Sequence, residues 1–427
     1  MSTTSLPSYV APSVNRVPSY SREPAAHEQR LALSERNPGR PSGSFVKQSK
    51  KGDFVLQLYG QDEDSSLPVY GTGSIVDGVV EVLRSDTITR IEVKIEGYLK
   101  IREIGEGGHS TINLFLEEIV LWSREADGGE QPPSSLPFSF RLPESFTIED
   151  GKAYPLPPTY GVKLSGFPGF TANTDYSVSV LINKPNPRAI SSKAMGLIVG
   201  TTAITTPFNY RPRTRPPTAI PPPLLTDAQG FVLTPEWTLY ESTIQSKQPG
   251  LQDIQTKLYV PSTKVFSIGD IIPFHLSLHS TSMSLATYLP LSPTAKSLGS
   301  KKPTQVQLMR QSTVDVRNLE NPGKLRRDMW IVDCIGEGTI TLQADAPSWI
   351  AYSGRIRVAP DITIAGFKAA GLSVKDFILF TLNPPEPAKC PFYDLRQAVP
   401  IKLTTDAWAT PNGAGIGRPP SDHSSEN

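Results

Sequence analysis

Apolar and polar residues alternate in short runs along most of this chain, and turn-forming residues separate the runs. Ile91, Val93 and Ile95 occupy every second position of one run, and residues 176–182 repeat the same period. Side chains at alternate positions of a strand point to one face of a sheet, whereas helical apolar spacing is scarce here. The pattern predicts an all-β protein with two tandem β-sandwich domains.

A proline-rich segment at 185–223 separates two groups of predicted strands, because proline cannot donate a hydrogen bond to a sheet ladder. Strand patterning resumes at Ile254. We predict a disordered N-terminal tail at 1–45, a β-sandwich at 46–225, a linker at 226–253, a second β-sandwich at 254–408 and a disordered tail at 409–427.

Composition narrows the class of protein further. The chain has 427 residues, 42 prolines, 32 glycines and a formal net charge of +1. This length suits two domains, and the near-neutral charge disfavours nucleic acid as a partner. Cys334 and Cys390 are too few for a disulfide framework, which indicates a reduced cytoplasmic setting. The N-terminus lacks a signal-peptide pattern, and the longest apolar stretch, at 195–204, is too short to span a bilayer, so only peripheral membrane contact is expected.

No catalytic or metal-binding pattern stands out in the sequence. His275 and His279 share one face of a predicted strand but lie about 13 Å apart at the usual rise per residue, too far to share a metal. The glycine cluster at 105–108 is typical of a hairpin turn, because no helical pattern follows it. We therefore expect a protein that is not an enzyme and binds no cofactor or metal.

Several motifs resemble, in order and spacing, those of arrestin-like proteins over residues 46 to 408. In the first half the motifs are Phe138–Pro143, Leu156–Gly161 and Tyr176–Val180. In the second half they are Leu258–Pro261, Phe266–Asp270, Ile272–Leu276 and the closing stretch Pro400–Trp408. The resemblance implies two tandem arrestin-like β-sandwich domains of immunoglobulin-like type.

The resemblance to fungal arrestin-related trafficking adaptors implies a non-enzymatic adaptor in endocytosis or protein sorting. Such an adaptor links the cytosolic tail of a membrane cargo to a WW-domain ubiquitin ligase. It would be cytoplasmic and recruited to the plasma membrane or endosomes. The alternative is an arrestin-fold scaffold of retromer type that acts without a ligase. An extracellular sugar-binding sandwich is disfavoured by the absence of a signal-peptide pattern and of a disulfide framework.

Two kinds of proline and tyrosine motif compete as ligands for a WW domain. Pro157–Tyr160 fits the PPxY pattern, but it adjoins a predicted strand, so we expect it to be packed at a strand entry. Two degenerate copies lie in the N-terminal tail, and two weak copies can engage tandem WW domains with raised avidity. The residues of these copies are Leu6, Pro7 and Tyr9 in the first and Val17, Pro18 and Tyr20 in the second.

Basic residues are the second candidate site. Lys47, Lys50 and Lys51 are predicted to precede the first strand, at a place that resembles the phosphate-sensing lysines of signalling arrestins. They are candidates for pairing with an acidic or phosphorylated cargo tail, although a solubilising charge run is the more common role of such residues. The basic runs 211–215 and 324–327 are alternatives for contact with acidic lipid or cargo.

Overall fold

The all-β prediction is confirmed by the computed structural model of the chain. The structure describes residues 43–62, 65–85, 88–105, 108–128, 131–148, 151–184, 201–295, 302–315 and 328–408. Within these ranges nearly all regular structure is β-strand, with one short α-helix and one 3₁₀ turn. In the same ranges no helix combines the length and the apolar character that a membrane span requires. Residues 1–42 and 409–427, predicted as tails, lie outside the described residues.

The first half contributes strands to two large sheets and one small hairpin. Its strands are β1 (Gly43–Gln48), β2 (Phe54–Gln61), β3 (Val69–Tyr70), β4 (Ile75–Val82), β5 (Arg90–Ile104), β6 (His109–Ser123), β7 (Ser135–Arg141), β8 (Ser145–Thr147), β9 (Ala153–Pro155), β10 (Tyr160–Leu164), β11 (Gly169–Asn183) and β12 (Thr201–Tyr210). One sheet has the order β1-β2-β4-β7, and the other has the order β3-β12-β11-β5-β6 with β10 added beside β11.

One hydrophobic core fills the space between these two sheets. Leu56 and Val80 reach it from the four-stranded sheet, and Val93 and Val178 reach it from the six-stranded sheet. All four side chains are fully buried. The period-2 pattern that predicted β5 and β11 therefore reflects one buried face and one outer face. Strands β5 and β6, which flank the predicted turn at 105–108, pair as antiparallel neighbours.

The second half forms one ten-stranded sheet and a small hairpin. Its elements are β13 (Thr226–Asp227), β14 (Gly230–Phe231), β15 (Trp237–Ile244), β16 (Ile254–Pro261), β17 (Val265–Ser267), β18 (Ile271–His279), α1 (Ser282–Tyr288), a 3₁₀ turn (Leu289–Leu291), β19 (Thr304–Asp315), β20 (Asp328–Ala346), β21 (Trp349–Arg357), β22 (Phe367–Ala369), β23 (Leu372–Leu382) and β24 (Leu395–Thr404). The large sheet has the order β15-β16-β18-β21-β20-β19-β23-β24-β17, with β22 beside β23.

The long strand β20 turns the corner of this sheet. Its first part pairs with β19 as far as Glu337, and its second part pairs with β21 from Gly338 onward. The two arms of the curled sheet enclose a second core, to which Phe274 of β18 and Phe380 of β23 both belong. The Phe274 ring packs directly over Gly354, its partner on β21, where a Cβ atom would lie 2.1 Å from the ring.

The two halves are in direct apolar contact. Five residues of the second half belong to the hydrophobic cluster of the first half: Val314, Met329, Ala369, Ala370 and Leu372. They lie on β19, β20 and the β22–β23 hairpin. The packing of these residues against the first core forms a continuous junction between the halves.

Strand β15 lies within residues 226–253, which the sequence predicted as a linker. It pairs along its whole length with β16 and forms one edge of the ten-stranded sheet. The alternation in β15 is weak, because most of its residues are only partly buried at the sheet edge. Periodicity therefore gave little signal for this strand.

Candidate functional site

Lys47, Lys50 and Lys51 lie on β1 and on the turn to β2. The prediction that they precede the first strand is wrong, because Lys47 is within β1. This strand is a short sheet edge with little alternation, so its pattern was too weak to identify it. Lys47 Nζ donates a hydrogen bond of 2.7 Å to the backbone oxygen of Thr205 on β12. That contact connects the two sheets of the first half.

Lys50 and Lys51 are exposed, and within the described ranges no hydrogen bond or ion pair engages their side chains. Both stand on a turn that closes with a 2.9 Å backbone hydrogen bond from Gly52 to Ser49. We refer to Lys47, Lys50 and Lys51 as the basic turn. Its two free ammonium groups are available to an anionic partner.

Asp53 anchors the basic turn to two further cations. Its carboxylate accepts a hydrogen bond from Lys184 Nζ at 3.2 Å and lies 3.9 Å from Arg84. The Asp53 amide also donates to Ser49 Oγ, which ties the carboxylate to the turn. This end of the first half therefore carries the three lysines of the basic turn and two further cations that lie next to the largely buried carboxylate.

The PPTY segment is packed, as the sequence predicted. Pro157 and Pro158 are buried, and β10 begins at Tyr160. The Pro157 carbonyl accepts a hydrogen bond from the hydroxyl of Tyr176. Thr159 exchanges hydrogen bonds with the backbone of Tyr210 through its amide, at 3.0 Å, and its hydroxyl, at 2.8 Å. A WW domain could not reach both prolines without disrupting these contacts.

Tyr160 connects the first half to the second. Its hydroxyl lies 2.8 Å from Ser312 Oγ on β19, and its ring meets Phe367 edge to face at 5.3 Å. Burial raises the pKa of Tyr160 above its usual value. Tyr160 and Arg310 both line an open cleft of about 340 Å³ between the halves.

Arg310 and Asp376 form a buried ion pair beside this cleft. They are directly opposite each other on β19 and β23. The guanidinium donates from Nε to Oδ1 at 2.8 Å and from Nη2 to Oδ2 at 3.1 Å. The arginine side chain is 6% exposed and the aspartate side chain is fully buried. In this bidentate geometry each side chain neutralises the charge of the other, although both are buried away from water.

The closing stretch Pro400–Trp408 holds residues 211–225, which join β12 to β13 and which we call the connector. Asp406 accepts a bidentate hydrogen bond from Arg213, with distances of 2.5 and 2.9 Å for its two closest contacts. Thr405 Oγ1 accepts from the amide of Thr214 at 2.8 Å, and the Asp406 amide donates to the Thr214 carbonyl. Arg213, the central arginine of the basic run 211–215, is therefore paired with Asp406 within the fold. The run 324–327 lies outside the described residues.

The connector continues as a strap over the outer face of the second-half sheet. The buried His275 accepts a 3.1 Å hydrogen bond at Nε2 from the amide of Leu224 and lies 2.7 Å from Ser353 Oγ through Nδ1. Phe231 and Trp237 pack on its imidazole. Burial lowers the pKa of His275 to about 4, so the ring is neutral at pH 7 and can accept at Nε2. These hydrogen bonds and ring contacts explain why His275 is buried, without a role as a metal ligand.

The six tail residues proposed as WW ligands, Leu6, Pro7, Tyr9, Val17, Pro18 and Tyr20, lie outside the described residues. In the described part of the chain, no group of three or more histidine, cysteine, aspartate or glutamate side chains could hold a metal ion. No family model matches the chain, and no curated protein matches it either.

Proposed function

We propose that this chain is an arrestin-like adaptor of the fungal trafficking type, which links membrane cargo to a WW-domain ubiquitin ligase. The observation that carries the proposal is the basic turn, where Lys50 and Lys51 are exposed and unpaired within the described ranges. An acidic or phosphorylated cargo tail is the partner that such a pair of ammonium groups would bind. The all-β architecture and the order of the arrestin-like motifs support the same class.

The ligase contact is assigned to the N-terminal tail. The contacts around Pro157–Tyr160 leave that PPxY segment unavailable to a groove-type ligand interaction. The two remaining copies, ending at Tyr9 and Tyr20, each have one proline fewer than PPxY. Each should bind weakly alone, and both together should bind tandem WW domains more tightly, since the second contact becomes intramolecular. The adaptor needs no catalytic residue, and its site of action would be the cytoplasmic face of the plasma membrane or endosomes.

Substitution of both tail tyrosines is expected to abolish WW binding. Titration calorimetry of the full chain with a tandem WW fragment should show at least a tenfold loss of affinity for Tyr9→Ala or Tyr20→Ala alone, because avidity is lost. The double variant should give no measurable heat. Tyr393→Ala is the matched control, since Tyr393 is an exposed tyrosine far from the tail in sequence.

Equal WW binding by the wild type and the double variant would refute the ligase contact. A protein that does not bind WW domains at all would favour the retromer-type scaffold. The packing of Pro157–Tyr160 already favours that alternative in one respect, because only the degenerate motifs remain for a ligase. The titration therefore separates the two candidate functions.

A further inference from the structure

The outer face of the six-stranded sheet carries a row of basic side chains near the β5–β6 turn. Strand pairing places Lys163 of β10 opposite Thr171 of β11, Thr171 opposite Arg102 of β5, and Arg102 opposite His109 of β6. At the usual strand separation this row is about 14 Å wide. We call Lys163, Arg102 and His109 the basic row. All three side chains are exposed.

Lys100 extends the basic row along β5. It lies two residues before Arg102 on the same face, which is about 7 Å away at the rise of a strand. Its ammonium group sits over the ring of Tyr98, 5.2 Å from the ring centroid. The position next to Lys100 on β6 is Thr111, and that on β11 is Asn173.

The basic row lacks acidic partners within the described ranges. No ion pair or hydrogen bond engages the side chains of Lys163, Arg102 or His109 there. Earlier on β5, by contrast, Lys94 and Glu96 form a 2.9 Å ion pair. Lys163 and Arg102 are like charges on one face, two strands apart, so an external anion that lies over this face is attracted by both of them.

An exposed aromatic residue stands at the tip beside this row. Phe167 is 81% exposed and lies on the turn between β10 and β11. Its ring lies next to Gly105, the residue that follows β5, since a Cβ atom there would come within 2.8 Å of the ring. The ring is therefore beside the end of β5, four residues beyond Lys163 in the sequence.

We propose that this tip docks on an anionic lipid membrane, with Phe167 entering the interface and the basic row contacting lipid headgroups. Aromatic side chains favour the level of the headgroups, and each nearby lysine or arginine adds attraction to an anionic leaflet. A flat row of basic side chains beside one exposed ring fits a planar anionic surface. An acidic peptide would be favoured instead by a groove, and this face is an open strand surface.

Vesicle co-sedimentation of the full chain tests the proposal. The wild type should bind phosphatidylcholine vesicles that contain phosphatidylserine and should not bind phosphatidylcholine alone. The double variant Arg102→Gln with Lys163→Gln should lower the partition coefficient about thirtyfold, which corresponds to about 1 kcal/mol per basic residue. Phe167→Ser should lower it about tenfold, because an exposed ring loses its apolar burial in the membrane without affecting the core.

Two matched controls make the result specific. The double variant Arg396→Gln with Lys402→Gln removes the same charge from exposed positions of β24 and should bind vesicles like the wild type. The double variant Lys50→Gln with Lys51→Gln should also bind normally, so failure of the cargo site and failure of the membrane site are distinguishable. Loss of binding in either control would overturn the assignment to the basic row, as nonspecific charge attraction would then suffice.

Two other outcomes would also overturn the proposal. The first is that the wild type binds a polyglutamate peptide through Arg102 and Lys163 but not the vesicles, in which case the partner of this face is an acidic protein segment. The second is full vesicle binding by Phe167→Ser, since the ring would then have no part in docking. High salt should weaken binding by the wild type, because screening shortens the reach of the basic row.

Discussion

Asp376→Ala is expected to lower the free energy of unfolding by about 3 to 5 kcal/mol, because it leaves Arg310 charged and buried without its partner. The two side chains form a bidentate pair between neighbouring strands of the second half. An arginine that is 6% exposed has little access to water that could replace the carboxylate. Urea denaturation of the full chain measures the loss.

A double-mutant cycle provides the control for this prediction. Arg310→Met alone should be costly as well, since it leaves the fully buried Asp376 carboxylate without a counter-charge. Arg310→Met combined with Asp376→Ala should recover most of the stability, because neither buried charge remains. If each single variant costs less than about 1 kcal/mol, as is usual for an exposed pair, the buried-pair interpretation fails.

Tyr160→Ala is expected to destabilise the protein by about 2 to 4 kcal/mol while WW binding by the N-terminal tail is retained. The substitution removes the hydrogen bond to Ser312, the edge-to-face contact with Phe367, and the partial burial of the ring. A hydrogen bond contributes about 0.5 to 1.5 kcal/mol and an aromatic pair a similar amount. Thermal melting and WW titration of the same sample report the two properties.

Tyr160→Phe is the matched control, since it keeps the ring contact and removes only the hydroxyl. It should cost about 1 kcal/mol more than a surface substitution, because Ser312 is buried and loses its partner. The opposite pattern, an Ala variant with unchanged melting that no longer binds WW domains, would show that Pro157–Tyr160 is the ligase motif. The packing account of this segment would then be wrong.

Alternation along the chain was sufficient to predict most strands of the two large cores. Ile91, Val93 and Ile95 are completely buried, as their period-2 spacing requires of one sheet face. The pattern was weak at sheet edges, where both faces are partly solvated. Strands β1 and β15 were missed for this reason, and with them the position of Lys47. Strand β12 was missed for another reason, because it lies within the proline-rich segment 185–223 and contains Pro207.

The candidate sites depend on strand pairing that one sequence does not reveal. Arg310 carries a local signal, since a charged residue there follows Val306 and Leu308 at inward-facing positions of β19. Its partner Asp376 is 66 residues away, so the pair becomes visible only when β19 and β23 are in register. The basic row likewise brings together Lys163 and Arg102 through β11.

A bridging assay tests the adaptor account most directly. Beads carrying a phosphorylated, acidic peptide are incubated with a tandem WW protein, with or without the chain. We expect the WW protein to be retained only when the wild-type chain is present. Retention should be lost with Lys50→Gln and Lys51→Gln, and equally with Tyr9→Ala and Tyr20→Ala, but not with Arg396→Gln and Lys402→Gln. Failure of the wild-type chain to retain the WW protein, or undiminished retention by both sets of site variants, would contradict the account.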